Sequence, residues 1–317
     1  QIDTIGAFLS YCLLSQLPGF VPILTGATVA AAAFGPVGPL AEVFAIEGSQ
    51  HHGVDYGRIR LWASLSFLTG SLIGGALLDV IDVWWVIYLM IAAQAIAVGG
   101  AYLLPHDPVQ RAADSPPVRV KDVMAVALSS SFLIFLAAAA IGQSSHGLFY
   151  ALGSVHWDHL GYSKFTMGAL WAAGVLTEVT FFAFSGLLAG KIDPAKLILI
   201  GVSCGLLRWM IYAFDPPLWL LYPASMLHFA SFGVTHFGTM HYLQQNAPPG
   251  MRNTLQGIFS ALASGILMSS VMWASGPLLE AFGGSAYFFM AVVSAVAVLL
   301  AVILTRINPR DRLAQAA

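Results

Sequence analysis

The sequence predicts an all-α polytopic membrane protein, and two observations carry that prediction. Of its 317 residues 58% are apolar and only 9% are charged, against about 25% charged in ordinary globular proteins. The apolar residues fall in successive long runs separated by short segments with charge, Pro or Gly, and about 20 such residues cross a ~30 Å hydrocarbon layer. A net charge of -2 offers no clustered basic field to hold a nucleic-acid backbone. Nucleic acid is therefore excluded as a main partner, and the lipid bilayer takes its place.

Windows between charges and turn residues place ten spans at 4–17, 19–45, 59–78, 83–104, 125–154, 163–189, 195–214, 217–243, 253–279 and 283–305. The first is short for a crossing. The second contains Ala31-Ala32-Ala33-Phe34-Gly35-Pro36-Val37-Gly38-Pro39, a composition that a buried membrane helix accepts when neighbours satisfy its loosened backbone. Cys12 and Cys204 stand in apolar runs without metal-ligand or CxxC spacing and read as small buried hydrophobes. The chain opens on Gln1 with no basic region ahead of a short apolar run, which is not the pattern of a signal peptide.

Orientation follows from the basic residues. Arg58, Arg60, Arg111, Arg119, Lys121, Lys191, Lys196, Arg252, Arg306, Arg310 and Arg312 fall at every second loop or at the C-terminus, while the alternate loops hold Asp79, Asp82, Asp158, Asp215 and Glu280 with only Lys164. The positive-inside rule puts the first group, and both chain ends, in the cytoplasm. Residues 105–122, the longest polar stretch and rich in Pro, form a cytoplasmic central linker between an N-terminal half (1–104) and a C-terminal six-helix half (123–317).

A repeat crosses that linker. Phe34-Gly35 with Gly38 is answered by Phe232-Gly233 with Gly238, and Gly75-Ala76-Leu77-Leu78-Asp79 by Gly276-Pro277-Leu278-Leu279-Glu280. Chance likeness between helices rich in small residues is the competing reading. A true repeat has six spans in its C-terminal copy and four in its N-terminal copy, so two further helices are expected before Gln1, in a protein of twelve.

Ionisable groups at membrane depth are expensive and so mark function. Glu178 sits near the middle of span six, Arg208 in the outer part of span seven and His228 near the middle of span eight. Opposite charge would keep Glu178 and Arg208 ionised, and loss of one partner would favour protonation of the carboxylate; a fixed ion pair between two helices is the alternative. His228 and His236 lie eight residues apart, about 80° around a helix, and can share an interior face with Phe232 and Thr235. His146 can line the same cavity from span five, and His241 points elsewhere. For each of these histidines a neutral, hydrogen-bonded packing role stays open. In the N-terminal half, Glu42 and Arg60 are spaced for a helical hairpin to bring them face to face, Arg offering bidentate geometry toward carboxylates or hydroxyls. Asp55 and Arg58 read as turn anchors. Tyr11, Phe67, Phe149, Tyr150, Trp157 and Trp171 are available as an apolar cavity wall. No His-carboxylate spacing supports a catalytic metal, no cofactor is implied, and no nucleophile-base cluster points to an enzyme.

At these residues the chain resembles the major facilitator superfamily, in the branch of 3-phenylpropionate transporters, with lactose permease more distantly similar. The resemblance rests on Asp55-Tyr56-Gly57-Arg58-Ile59-Arg60-Leu61-Trp62-Ala63-Ser64, with Ala63 where Gly is usual, and on Phe34-Gly35-Pro36-Val37-Gly38-Pro39-Leu40, Gly161-Tyr162-Ser163, Leu176-Thr177-Glu178-Val179 and Leu207-Arg208-Trp209. It implies that the ten spans correspond to helices three to twelve. It also implies that Glu42 and Arg60 bind substrate, and that Glu178, Arg208 and His228 couple a proton. The permease's proton-carrying carboxylate falls on Ser231, leaving Glu178 as the carrier, and its sugar-stacking Trp falls on Phe67. The degenerate counterpart of the family's loop motif is Gly186-Leu187-Leu188-Ala189-Gly190-Lys191.

The reading is a monomeric, proton-coupled symporter of the bacterial inner membrane that works by alternating access. Its proton-coupling residues are Glu178, Arg208 and His228, and its substrate-binding residues are Glu42, Arg60, Phe67, His146, His228 and His236. The resemblance alone makes the solute a phenylpropionate-like aromatic acid. A sugar or nucleoside symporter, or a proton-driven efflux carrier, is the alternative.

Overall fold

The computed structural model describes residues 2–35, 37, 41, 56–104, 119–188, 191–248 and 250–307, with the side chains of 56–61, 63 and 64 outside the description. The chain divides into two compact units, Gln1–Ser66 with Ala76–Ala113 and Phe67–Gly75 with Asp114–Ala317.

In the first unit, α1 (Ile2–Leu14) packs on α2 (Phe20–Phe34) and on α4 (Trp85–Leu103). The close approach of α1 and α2 is made at small residues, with Thr4, Ala7, Gly26 and Ala30 buried. A methyl on Gly26 would stand 2.7 Å from Leu17 Cδ1 and 3.1 Å from Leu14 Cδ1, so a larger residue there would have to displace both leucine side chains. α4 buries none of its residues, as befits a helix whose solvent is lipid, and it starts with Trp85 against Tyr88 at 5.6 Å.

Helix α3 (Tyr56–Leu78) contributes Phe67–Gly75 to the second unit. There Gly168 lies against the Ser71 carbonyl and Gly75 against that of Lys164. The second unit continues with α5 (Val120–Ala127), α6 (Ser130–Ser144), α7 (Gly147–His159), α8 (Lys164–Phe184), α9 (Pro194–Tyr212), α10 (Leu218–Met226), α11 (Thr235–Asn246), α12 (Arg252–Ser260), α13 (Met268–Phe282) and α14 (Tyr287–Arg306). A π-helical turn, Phe229–Val234, joins α10 to α11, and another, Ala261–Leu267, joins α12 to α13. Five stretches among the described residues are long and apolar enough to cross a membrane: Trp85–Leu103, Ser130–His159, Lys164–Ser185, Pro194–Tyr212 and Arg252–Arg306. Ile2–Leu14, Phe20–Phe34 and Leu65–Leu78 are shorter apolar helices.

Local chemistry sets the boundaries. Ser129 and Ser163 accept from Phe132 N–H and Thr166 N–H, and Asp193 accepts from Ala195 N–H with Pro194 opening α9. The Ser129 cap starts the fifth span at 130 rather than 125, and the same span continues beyond 154 to His159 after a break at 145–146. Gln143-Ser144-Ser145-His146 stands at that break, an uncharged polar run without Pro, so a reading based on charges and turn residues runs across it. The second span, 19–45, is described only through its first part.

Two large apolar clusters stiffen this unit, beside a smaller one of Leu197, Ala230, Val234 and Phe237. Phe132, Phe135, Tyr242, Ile198, Val202, Ala297 and Ala301 belong to one, with Phe135 stacked on Tyr242 at 4.3 Å. The other is aromatic, with Phe149, Trp157, Trp209, Tyr212 and Tyr287. Helix axes approach closely at glycines: Gly142 meets Val202, Gly201 meets Thr235 and Gly238 meets the backbone at Ile198. Such small contacts are what pack membrane helices when lipid removes the hydrophobic drive.

Candidate functional site

Four segments of the second unit bring polar side chains to one buried point. Arg208, on the last turns of α9, is 1% exposed. Its Nη1 donates to His228 Nδ1 at 3.2 Å and to Ser231 Oγ at 3.4 Å. On the far side of the His228 ring, Nε2 lies 3.1 Å from Glu178 Oε2 of α8. On the far side of Ser231, His146 Nε2 is 3.2 Å from the hydroxyl, and His146 Nδ1 is 3.1 Å from the Gln143 carbonyl.

Donor rules assign the protons along this chain. A guanidinium donates and never accepts, so His228 Nδ1 accepts and the ring's single proton sits on Nε2, aimed at the Glu178 carboxylate. A carbonyl only accepts, so His146 carries its proton on Nδ1 and its Nε2 takes the Ser231 hydroxyl proton. His228 is neutral in this arrangement, and a neutral His146 accepts from the Ser231 hydroxyl at Nε2. Arg208 and Glu178 are the two ends of an arginine-imidazole-carboxyl array.

The cation is held by rings as well. Arg208 Cζ stands 4.6 Å from the centroids of both Phe149 and Trp209 and 5.2 Å from that of Tyr212. A desolvated cation-π contact is worth on the order of 2 kcal/mol. Among the described residues Nε of Arg208 has no hydrogen-bond partner, and the rings lie against the guanidinium instead. Trp209 is fixed in turn by Nε1 donating to Ser145 Oγ at 3.0 Å, at the break between α6 and α7.

The backbone explains why these groups meet. Pro223 inside α10 withdraws one N–H, and the π-turn that follows inserts a wider i→i+5 loop, a device frequent at functional positions. His228 and Ser231, three residues apart, both face Arg208 across it. Gly174 leaves room for this: a methyl there would stand 3.1 Å from the Ser225 carbonyl oxygen and 3.3 Å from His228 Cβ.

Of the residues singled out by the sequence, Glu178, Arg208, His228 and His146 come together. His236 joins through a ladder: His228 stacks on Phe232 at 5.2 Å, and Phe232 on His236 at 5.9 Å. Thr235 does not share that face, because it is packed against Gly201 with its hydroxyl on the Ser231 carbonyl. His241 is bonded locally to the Phe237 carbonyl. Tyr150 stacks on Trp171 at 6.0 Å and lies edge-on to His228 at 6.3 Å. Phe67 is 48% exposed. Glu42 and the side chain of Arg60 lie outside the described residues. Among the described residues no group of three or more His, Cys, Asp or Glu is placed to hold a metal ion.

Ser231 is the residue that sequence reasoning undervalued. It was expected to mark a missing carboxylate, and it is the hydroxyl joining Arg208 to His146. A second polar pair was also not foreseen: His156 Nε2 lies 2.6 Å from Asp215 Oδ1 at the loop end of the aromatic cluster. Asp215 takes a left-handed φ of 46°, and its carboxylate lies against Gly284.

Comparison with known proteins agrees with this architecture. The chain is 29% identical over 267 residues to a protein of Escherichia coli (strain K12) described as a probable 3-phenylpropionic acid transporter, covering 84% of this chain and 70% of that one. It is 27% identical over 316 residues to the maltose permease of Geobacillus stearothermophilus, covering 95% and 78%. The crystal structure of the nucleoside transporter NupG superposes with a TM-score of 0.74 at 16% identity, covering 96% of this chain and 80% of that one, a likeness of fold. The MFS_1 like family matches residues 2–291, and the chain belongs to that family of membrane transporters.

Proposed function

We propose that this transporter couples the entry of a small aromatic carboxylate to the entry of a proton, by alternating access of two halves, 1–104 and 123–317, joined by the linker 105–122. It acts as a monomer in a bacterial inner membrane with both chain ends in the cytoplasm. The observation that carries the reading is His228 bridging Arg208 and Glu178. With Nδ1 occupied by the guanidinium and Nε2 already protonated, the imidazole has no free lone pair. A proton arriving at the array is accepted by the Glu178 carboxylate, and Arg208 receives the substrate's carboxylate. Tyr150, Trp171 and Phe232 supply aromatic surface beside that position, with His146 and His236 at its edge. Glu42, Arg60 and Phe67 line the other part of the path.

The relative described as a 3-phenylpropionic acid transporter supports the aromatic acid. The maltose permease, matched over more of this chain, favours a second reading in which the solute is a sugar. Counterflow in proteoliposomes separates them. Preloading with 3-phenylpropionate is expected to drive uptake of labelled 3-phenylpropionate, whereas exchange of labelled maltose alone would replace the first reading by the second. Orientation has its own test: a cysteine replacing Asp114 should be labelled only from the cytoplasm and one replacing Glu280 only from outside. Labelling of both from one side overturns the topology.

A further inference from the structure

We infer that the groove between α8 and the π-turn Phe229–Val234 is a site for one anionic phospholipid, an acyl chain lying in the groove and the phosphate meeting Lys191 and Lys196. A cavity of about 560 Å³ opens there, walled by Leu176, Phe181, Phe184, Leu187, Leu188 and Phe229. Leu176, Phe184 and Leu187 are exposed, and the Phe181 and Phe229 rings meet at 6.1 Å. Two threonines complete the wall, and both hydroxyls are already used. Thr177 Oγ1 lies 2.8 Å from the Gly174 carbonyl and 2.9 Å from that of Met226, and Thr180 Oγ1 donates to the Leu176 carbonyl at 2.8 Å. The groove therefore presents hydrocarbon, which suits an acyl chain and offers a polar solute nothing to bond.

Its length and its end choose the lipid. At 1.5 Å per residue the wall from Leu176 to Leu187 runs about 16 Å, half of a ~30 Å hydrocarbon layer and so the depth of one leaflet. Just beyond it the chain turns basic. Lys191 N–H donates to the Leu188 carbonyl at 3.1 Å, and Lys196 follows in the first turn of α9. Leu188 and Phe229 pack on the cluster that contains Leu197 of that turn, which keeps it at the same end. Both lysines are exposed, while Asp193 between them caps α9 through Ala195 N–H. A lysine stem can lie along apolar surface and carry its charge to the headgroups, and basic side chains at the membrane surface attract anionic lipid. With the orientation proposed above, the leaflet is the cytoplasmic one. A packed helix is the rival occupant. Helix axes in this unit approach at glycines, and neither Gly nor Ala lines the groove among the described residues.

The experiment uses the full-length protein in phosphatidylcholine liposomes doped with a phosphatidylglycerol that carries a photoreactive diazirine in its acyl chain. Label is expected on the peptides containing Leu176–Leu188 and Phe229, displaced by unlabelled phosphatidylglycerol and not by further phosphatidylcholine. Lys191→Gln and Lys196→Gln should each weaken that displacement about fivefold, the contribution of one basic side chain near an anionic surface. Leu187→Trp, which fills the exposed end of the groove, should remove the label from Phe229 and leave it unchanged on α4, a helix with no buried residue. Equal labelling by a phosphatidylcholine probe, label spread as evenly over α4 as over α8, or unchanged displacement in both lysine variants overturns the inference. Loss of the label on adding 3-phenylpropionate, or a cross-link between two protein chains at this groove, also overturns it and assigns the groove to the solute or to a second copy.

Discussion

Two histidine-carboxylate pairs occupy the second unit, and their neighbours give them different work. His156 and Asp215 are 2.6 Å apart, His228 and Glu178 3.1 Å. The carboxylate of the first pair is 36% exposed and that of the second 18%. Asp215 sits in the loop after α9, against Gly284 of the turn before α14. Its pair ties the end of α7 to that loop, with the carboxylate partly exposed. Glu178 faces a ring whose other nitrogen is occupied by a guanidinium. On the proposed reading, a histidine-acid contact couples a proton when an inescapable charge stands behind the ring, and remains a clamp when none does.

Arg208→Ala should do the greatest damage. It removes the cation behind the inner pair, and breaking a buried charge pair costs about 3–5 kcal/mol. Gradient-driven uptake is expected to disappear and the melting temperature in detergent to fall; normal accumulation would end the distinction between the pairs. Ser231→Ala comes next, leaving one Nη1 proton of Arg208 and Nε2 of His146 without their partner, at about 1–3 kcal/mol. Slower uptake with an unchanged proton ratio is the expected kinetic result, since the hydroxyl positions the cation and holds no transported proton. Gly284→Ala presses a methyl on the Asp215 carboxylate, and overpacking of this kind costs about 1–3 kcal/mol, read as a lower melting temperature with coupling intact. His156→Asn should have the smallest effect, about 1 kcal/mol or less for a partly solvated pair. A changed proton-to-substrate ratio in that variant would show that the outer pair also couples.

The apolar runs made the helices legible, because membrane crossing imposes a length and a composition on the sequence itself. Glu178, Arg208 and His228 were legible for the same reason, as charges or titratable groups in segments that otherwise exclude them. The order of contact was not. A direct pairing of Glu178 with Arg208 was the natural expectation, and His228 enters between them because a proline and a π-turn set the direction of α10 and its continuation. A π-turn leaves little trace in residue periodicity. Ser231 was hidden by its ordinariness, since a hydroxyl inside a helix usually bonds to its own backbone. The break at 145–146 is marked only by the uncharged run Gln143-Ser144-Ser145-His146, which interrupts the helix without Pro or charge.

The central claim is that Glu178 holds the transported proton. Glu178→Gln preserves the side chain's shape and still accepts from His228 Nε2, but it cannot titrate. Proton uptake measured alongside labelled 3-phenylpropionate in proteoliposomes tests the claim directly. Exchange at equal concentration and pH should continue at a measurable rate in this variant, while substrate-induced proton uptake and accumulation against a gradient are lost. Accumulation with one proton still taken up per substrate would contradict the account and make Glu178 a structural partner of His228.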